Sequence, residues 1–280
     1  MRSVLRRTMV LVSAVAIGAG LAMVGVPGSA QARTTHANLL VPLYDDLNLP
    51  NWNRACSQAN GSGDGSWIIV DPAKGDGPGE APDPAYAKVI KNCYRYGRAS
   101  VIGYVSTNYG RVDIARVEEQ IDRYYSFYPG DIAGIFLDEV SDAIPGTTTS
   151  NQTYYQTLAS YVHKRSDNND EVVFNFGANP GSDWMLRASS AKNADIVVTF
   201  EGSYDEPTTN PFTAWEQAPW EQRYPAGDFA ALVYNAPHSA STPQPTSACT
   251  RLKQRHVGYV YVGLWFTDLA PYYSQLAATC

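Results

Sequence analysis

Gly134-Ile135-Phe136-Leu137-Asp138-Glu139-Val140 is the stretch from which the rest of the chain can be read. Ile135, Phe136 and Leu137 form a short unbroken apolar run, the pattern of a strand covered on both faces, as strands of parallel sheets are. Two carboxylates, Asp138 and Glu139, follow at once. Acids at the carboxyl end of such a strand stand where α/β barrels carry their chemistry. An aspartate after a strand is also a common helix N-cap. A second acid beside it, and Glu201 at the end of a later strand, favour chemistry over capping. Strand alternation puts Asp138 and Glu139 on opposite faces, so one of the two should make the primary contact with Glu201.

Outward from this strand the pattern is strand then helix, repeated. Before it come strands Leu39–Tyr44, Trp67–Asp71 and Ser100–Ser106, with helices Asn48–Asn60, Asp83–Tyr96 and Asp113–Tyr128. In the last of these helices, Val117, Ile121, Tyr124 and Tyr125 recur at helical spacing. After it come strands Glu171–Phe176, Asp195–Phe200, Phe229–Tyr234 and Val257–Leu264. The matching helices are Asn151–Lys164, a short Asp183–Ala191, Thr246–Arg255 and Asp268–Ala278. The aromatic, Pro-interrupted segment Gly202–Gly227 is expected to hold one short helix near Thr213–Gln217. Eight such units, with no internal repeat and no break in composition, predict one (β/α)8 TIM barrel, an α/β fold. A doubly wound open sheet lacks support, since no GxGxxG follows the first strand.

Residues 1–32 read as a signal peptide: Arg2, Arg6 and Arg7, an apolar Met9–Val26, then the small-x-small site Ala30-Gln31-Ala32. A membrane anchor is the rival, since the run is long enough to span. The well-placed cleavage site and the lack of a second apolar span favour the signal. Residues 33–280 then form the exported domain, expected to be secreted, extracellular, free of the membrane and monomeric. The segment holds three Arg and no acid, so its loss takes the formal charge from −6 to −9. An acidic chain without a basic run argues against nucleic acid as a partner. Export makes disulfides the default for Cys56, Cys93, Cys249 and Cys280. Three pairings are possible; Cys56–Cys93 and Cys249–Cys280 are favoured because each pair lies in consecutive βα units.

Closing the barrel gathers the strand ends at one mouth: Tyr44 and Asp45, Asp71, Tyr104 and Ser106, Asp138 and Glu139, Asn175, Thr199 and Glu201, Tyr234 and Asn235, and Trp265. The fourth and sixth strands are two apart, roughly 10 Å at the backbone, so inward acids can approach each other. Two carboxylates at that range can flank a glycosidic bond, one protonated as acid, the other as nucleophile or base. No GxSxG elbow supports a serine hydrolase, and paired cysteines do not suit thiol catalysis. His36, His163, His238 and His256 are scattered, so no metal site and no cofactor are expected. A hard cation on Asp45, Asp71 and Asp138 is conceivable, but no ligand spacing asks for it. Tyr109, Trp184, Tyr204, Trp215, Trp220 and Trp265 offer flat faces for sugars, although about half are expected to be plain packing.

LLVPLY, SVIGYVSTNYG, the paired Tyr124-Tyr125 before GIFLDEVS, FNFGANPG and VVTFEGSYD, in this order, resemble the spherulin-4-like family (spherulation-specific family 4). The resemblance spans nearly all of residues 33–280. It implies a (β/α)8 barrel and an endo-acting glycoside hydrolase that cuts α-1,4-linked N-acetylgalactosamine within galactosaminogalactan. The family's acids fall on Asp138, Glu139 and Glu201, and its groove walls on Tyr44, Tyr104, Asn175 and Tyr204. The strand ends add Asp71, Tyr234 and Trp265 as substrate contacts. Two positions depart from the family pattern: Asp45-Asp46 after the first strand, and Asp71 where Asn before Pro is more usual. A barrel that binds carbohydrate without turnover, or a glycosidase for another amino-sugar polymer, is the alternative.

Overall fold

The computed structural model describes residues 37–44, 47–58, 65–97, 99–165, 170–186, 193–204, 211–236 and 244–280. Residues 1–36, which include the expected signal peptide, and Asp45 and Asp46 lie outside them. Eight parallel strands close into a barrel in chain order. They are β1 (Asn38–Leu43), β2 (Ser66–Val70), β3 (Ala99–Ser106), β4 (Gly134–Asp138), β5 (Glu171–Asn175), β6 (Ile196–Ser203), β7 (Phe229–Tyr234) and β8 (Tyr259–Val262). Closure is made by Asn38 against Tyr259 and Leu39 against Val260. The strands are almost wholly buried, which is why they read as apolar runs rather than as alternating ones.

Among the described residues, six helices pack outside: α1 (Leu49–Gln58), α2 (Pro84–Tyr96), α3 (Ile114–Phe127), α4 (Gln152–Arg165), α5 (Gln244–Gln254) and α6 (Tyr273–Thr279). Their starts follow local chemistry. Asp83 caps α2 by accepting from the N–H groups of Ala85 and Tyr86, with Pro84 at the first helical position. Asp113 caps α3 through Ala115 N–H at 2.9 Å. The two disulfides are Cys56–Cys93, tying α1 to α2, and Cys249–Cys280, tying α5 to the chain end.

Three expectations need correction. Asp183–Leu186, the described part of the expected helix Asp183–Ala191, forms a turn and a bridge from Leu186 to Ala194, not a helix; residues 187–192 lie outside the described residues. Thr213–Gln217 is not a helix either. One turn forms there, where Ala214 and Trp215 N–H donate to the Pro211 carbonyl. The short helical turns come later, at Glu221–Arg223 and Ala226–Asp228, each within a few residues of a proline. The closing helix α6 begins at Tyr273 rather than Asp268, beyond Pro271, which a helix interior does not accept.

Strand β6 contains the irregularity that matters most. Val198 pairs with Ala230 and Phe200 with Ala231, so Thr199 is an extra residue. Val198 shares its register with Asn175, and Glu201, three residues on, meets the Asn175 side chain. An unbroken strand would put residues at an odd spacing on opposite faces. The bulge is what brings Glu201 back to the inner face.

Candidate active site

Tyr104 and Ser106 alternate with Gly103 on β3. A Cβ at Gly103 would meet the ring of Tyr124 on α3, so that side faces the helix layer. Tyr104 and Ser106 therefore face the barrel interior at its carboxyl end. Tyr104 Oη donates to Asp138 Oδ2 at 2.7 Å. Ser106 Oγ donates to Glu139 Oε2 at 2.5 Å.

Both acids at the end of β4 thus meet the same face of β3, contrary to the expectation from alternation. The reason is the backbone at Glu139, with φ +55°, a left-handed conformation that interrupts the strand pleat. It is unfavourable for a non-glycine residue by ~1–2 kcal/mol and is held from several sides. Tyr109 N–H donates to the Glu139 carbonyl at 2.8 Å, and Val140 N–H to the Asn175 carbonyl at 2.8 Å. Thr107 Oγ1 lies 2.7 Å from the Asp138 carbonyl oxygen and 3.0 Å from that of Glu139. The Tyr155 hydroxyl from α4 completes the clamp, 2.9 Å from Thr107 Oγ1. Sequence reading missed Thr107 and Tyr155, because the first looks like a loop residue and the second like part of a helix stripe.

Asn175, at the end of β5, joins the acids. Its Nδ2 donates to Asp138 Oδ1 at 2.7 Å and to Glu201 Oε2 at 2.5 Å. Its Oδ1 accepts from Gly177 N–H at 3.0 Å, which fixes the amide orientation. Gly177 in turn accepts from Glu201 N–H at 2.9 Å. Expected as a groove wall, Asn175 is only 5 % exposed and serves as the bridge between two carboxylates.

The electrostatics raise both acids. Burial pushes the Glu201 carboxyl up to about 7, helped by the charge of Asp138 and opposed only by the Asn175 donor. Burial also raises Asp138, but Tyr104, the Glu139 backbone and Asn175 all favour its charged form. Tyr44 packs edge-on to Tyr104, with ring centres 5.3 Å apart. Burial first, then the charges of Asp138 and Glu201, hold its hydroxyl well above the usual tyrosine range.

A cavity of about 320 Å³ opens beside the acids, lined by Tyr44, Asp71, Lys74, Tyr104, Asp138 and Thr267. Asp71 follows β2 and is 3 % exposed. Its Oδ2 accepts from Gly75 N–H at 2.5 Å. Gly75 has φ +106°, which only glycine adopts freely. Burial, with Asp76 and Asp138 nearby, pushes the Asp71 carboxyl up to about 7 against the lowering backbone N–H groups of Gly75 and Gly77.

The remaining expected contacts stand outside this cavity's lining. Tyr204 lies against Phe212 at 5.7 Å, and Tyr234 against Phe266 at 5.6 Å. Phe266 is also 6.5 Å from Tyr44, so one ring contacts both tyrosines. Trp265 follows β8 and is 59 % exposed. Of the other candidate platforms, Tyr109 is exposed, whereas Trp215 is buried against Phe200. Trp184 Nε1 donates to Asp142 and Trp220 Nε1 to the Pro180 carbonyl. These three tryptophans serve packing and loop anchoring.

Residues 38–279 match the profile of the spherulation-specific family 4 (Spherulin4). Spherulin-4 of Physarum polycephalum is 30% identical over 178 residues, 63% of this chain and 48% of its own. The chain therefore spans about half the length of that relative. Among solved structures, Aspergillus clavatus Sph3 in complex with GalNAc superposes with a TM-score of 0.66 at 19% identity, covering 88% of this chain and 98% of that one. A family GH18 chitinase from Chromobacterium violaceum reaches 0.51 at 11% identity, covering 88% and 83%. At these identities the structural likenesses speak for the barrel alone. The match over nearly the whole barrel carries the assignment: this chain belongs to spherulation-specific family 4.

Proposed function

We propose that this protein is an exported, endo-acting glycoside hydrolase that cuts α-1,4-linked N-acetylgalactosamine within a galactosaminogalactan-type exopolysaccharide. The observation that carries the reading is the pair Asp138 and Glu201, both hydrogen-bonded to Asn175 Nδ2, with Asp138 lining a cavity walled by tyrosines. Family membership and the GalNAc-bound Sph3 structure support the sugar class.

In this reading Glu201 is the acid. Its raised pKa keeps it protonated up to neutral pH, so it can give its proton to the leaving glycosidic oxygen. Asp138, whose charged form the Tyr104 hydroxyl and Asn175 favour against the raising effect of burial, faces the anomeric carbon. The Asp138 and Glu201 oxygens that share Asn175 Nδ2 are no more than about 5 Å apart. That is close to the ~5–5.5 Å of retaining enzymes and short of the ~6.5–9.5 Å that an intervening water needs. Asp138 is accordingly the nucleophile, and Glu201 becomes the base that activates water in the second step. Glu139, fixed by Ser106, is the third acid and adds negative charge beside Asp138.

Glu201→Gln keeps the size and the hydrogen-bonding capacity of the side chain but has no proton to give. It should lower kcat by on the order of 10³-fold, within the range for loss of a general acid, with the circular dichroism spectrum unchanged. New reducing ends released from galactosaminogalactan are the measurement. Release at the wild-type rate would remove Glu201 from the mechanism. Binding without release by the wild-type protein would make the barrel a carbohydrate-binding module instead.

A further inference from the structure

Glu221 is a buried acid that the mechanism does not use. It lies in the helical turn Glu221–Arg223 of the connection between β6 and β7 and is wholly buried. Its Oε1 accepts from Ala218 N–H at 3.2 Å. Oε2 is buried and makes no hydrogen bond among the described residues, and the same holds for Thr199 Oγ1. The two groups are neighbours: burial pushes the Glu221 carboxyl up to about 7, and the Thr199 hydroxyl is among the donors that lower it, with Gln217 and Ala218 N–H. An unmatched buried hydroxyl beside an unmatched buried carboxyl oxygen is satisfied by a small turn of either side chain, and leaving both unmatched is costly.

Thr199 is the extra residue of the β6 bulge. Successive residues of a regular strand face opposite sides. Here Thr199 meets Glu221, and the next residue, Phe200, packs on Phe212 at 5.8 Å and on Trp215 at 5.2 Å. All three partners belong to the β6–β7 connection. Thr199 and Phe200 thus turn the same way, into the outer layer, and Glu201 faces in to Asn175. Thr199 stands behind the barrel wall, not at the mouth. The contacts of Phe200 are apolar and non-directional. A hydrogen bond to Thr199 is directional, so it fixes which residue of β6 is the extra one.

We infer that Glu221 is a positioning residue: it takes a hydrogen bond from the Thr199 hydroxyl outside the barrel and so holds the bulge that aims Glu201 at Asn175. Its part in catalysis rests on the glycosidase reading above, with Glu201 as the acid. Without this bond β6 is freer to slip by one residue, which would turn position 201 away from the inner face.

The test uses the secreted wild-type protein, Thr199→Val, Glu221→Leu, the double variant and Glu221→Gln. Thr199→Val keeps the branched shape that suits a strand and removes the hydroxyl. On galactosaminogalactan, Thr199→Val and Glu221→Leu should each lower kcat on the order of tenfold, as misplacement of a catalytic group does, with KM little changed. Tyr44, Tyr104 and Asp138 still line the cavity in both. The double variant should lose little more than either single one, because the two residues share one contact. Glu221→Gln, whose amide oxygen can accept from Thr199, should keep most of the rate. A second readout needs no turnover. In 15N–1H spectra the Asn175 side-chain amide signals of Thr199→Val and Glu221→Leu should move toward their positions in Glu201→Ala, where the contact with Glu201 is gone.

Wild-type kcat in folded Thr199→Val and Glu221→Leu, additive losses in the double variant, or a loss in Glu221→Gln as deep as in Glu221→Leu overturns the inference and leaves the glycosidase reading standing. Unmoved Asn175 signals overturn it in every case. If the wild type releases no reducing ends, the glycosidase reading fails, and the Asn175 signals alone decide whether Glu221 positions Glu201. Should Glu221→Leu fail to fold, Thr199→Val carries both readouts.

Discussion

Asn175 is the residue on which the chemistry turns, because one amide bonds both acids. Its donors favour the charged forms of both Asp138 and Glu201. Removing them in Asn175→Ala should raise both carboxyls. In the wild type, activity should fall as pH rises through about 7, where Glu201 loses its proton. In Asn175→Ala that limb should move to higher pH, and the acidic limb, set by Asp138, should move up with it. The rate at the optimum should drop on the order of 10- to 100-fold, as positioning is lost. A pH–rate profile of kcat/KM reads all three effects. A variant that is slower but has an unmoved profile would make Asn175 a packing residue only. Sequence reading could place Asn175 at the mouth from the end of its strand. It could not show that both hydrogens of the amide are spent on carboxylates, because that depends on Gly177 fixing the opposite side.

At the scale of elements, the helix layer and the strand ends do separate work. The Cys56–Cys93 bridge joins α1 to α2, closing a sequence separation of 37 residues on the outside of the barrel. By chain entropy a loop of that length stabilises by ~4 kcal/mol. Replacing both cysteines by alanine should lower the thermal midpoint by many degrees and leave kcat/KM within about twofold at a temperature where the variant is folded, because no strand end moves. Midpoints by differential scanning calorimetry and rates on the same samples would check it; a large loss of rate would show that the helix layer tunes the mouth. The bridge was legible in the sequence because consecutive βα units are neighbours in a barrel, and the strand count was legible because buried parallel strands are continuous apolar runs. The bulge at Thr199 and the left-handed turn at Glu139 were not. Each is a one-residue departure from strand period, and the turn at Glu139 is held by partners from other elements, such as Tyr155 from α4. Those two departures decide which acids face one another. The barrel could therefore be read from pattern, whereas the relation of Glu139 to Asp138 came out wrong.

For the whole molecule, the buried acids govern how stability depends on pH. Glu201, Asp71 and Glu221 are pushed up to about 7 and Asp228 to about 6, each chiefly by burial. In the unfolded chain Glu and Asp titrate near ~4.3 and ~3.9. Between those values and about 7 the folded protein therefore holds more protons than the unfolded chain, so stability falls as pH rises through that window. Glu80 acts in the opposite sense, since Arg123 and Arg116 hold it down at about 2, and Glu119 is lowered by the same two arginines. Their contribution is present above the unfolded value and is lost as pH falls toward 2, but both are exposed and screened, so it is small. The expected curve of thermal midpoint against pH rises from pH 2, peaks near pH 4–5 and declines to pH 8. A maximum at pH 7 or above would contradict the buried-acid account. Glu201→Gln ties the slope to the site: with one of the raised carboxyls gone, the decline between pH 5 and 8 should be shallower than in the wild type. An unchanged slope would mean that the acids titrate elsewhere than the barrel mouth, and Glu201 would then lose its claim to hold a proton at neutral pH.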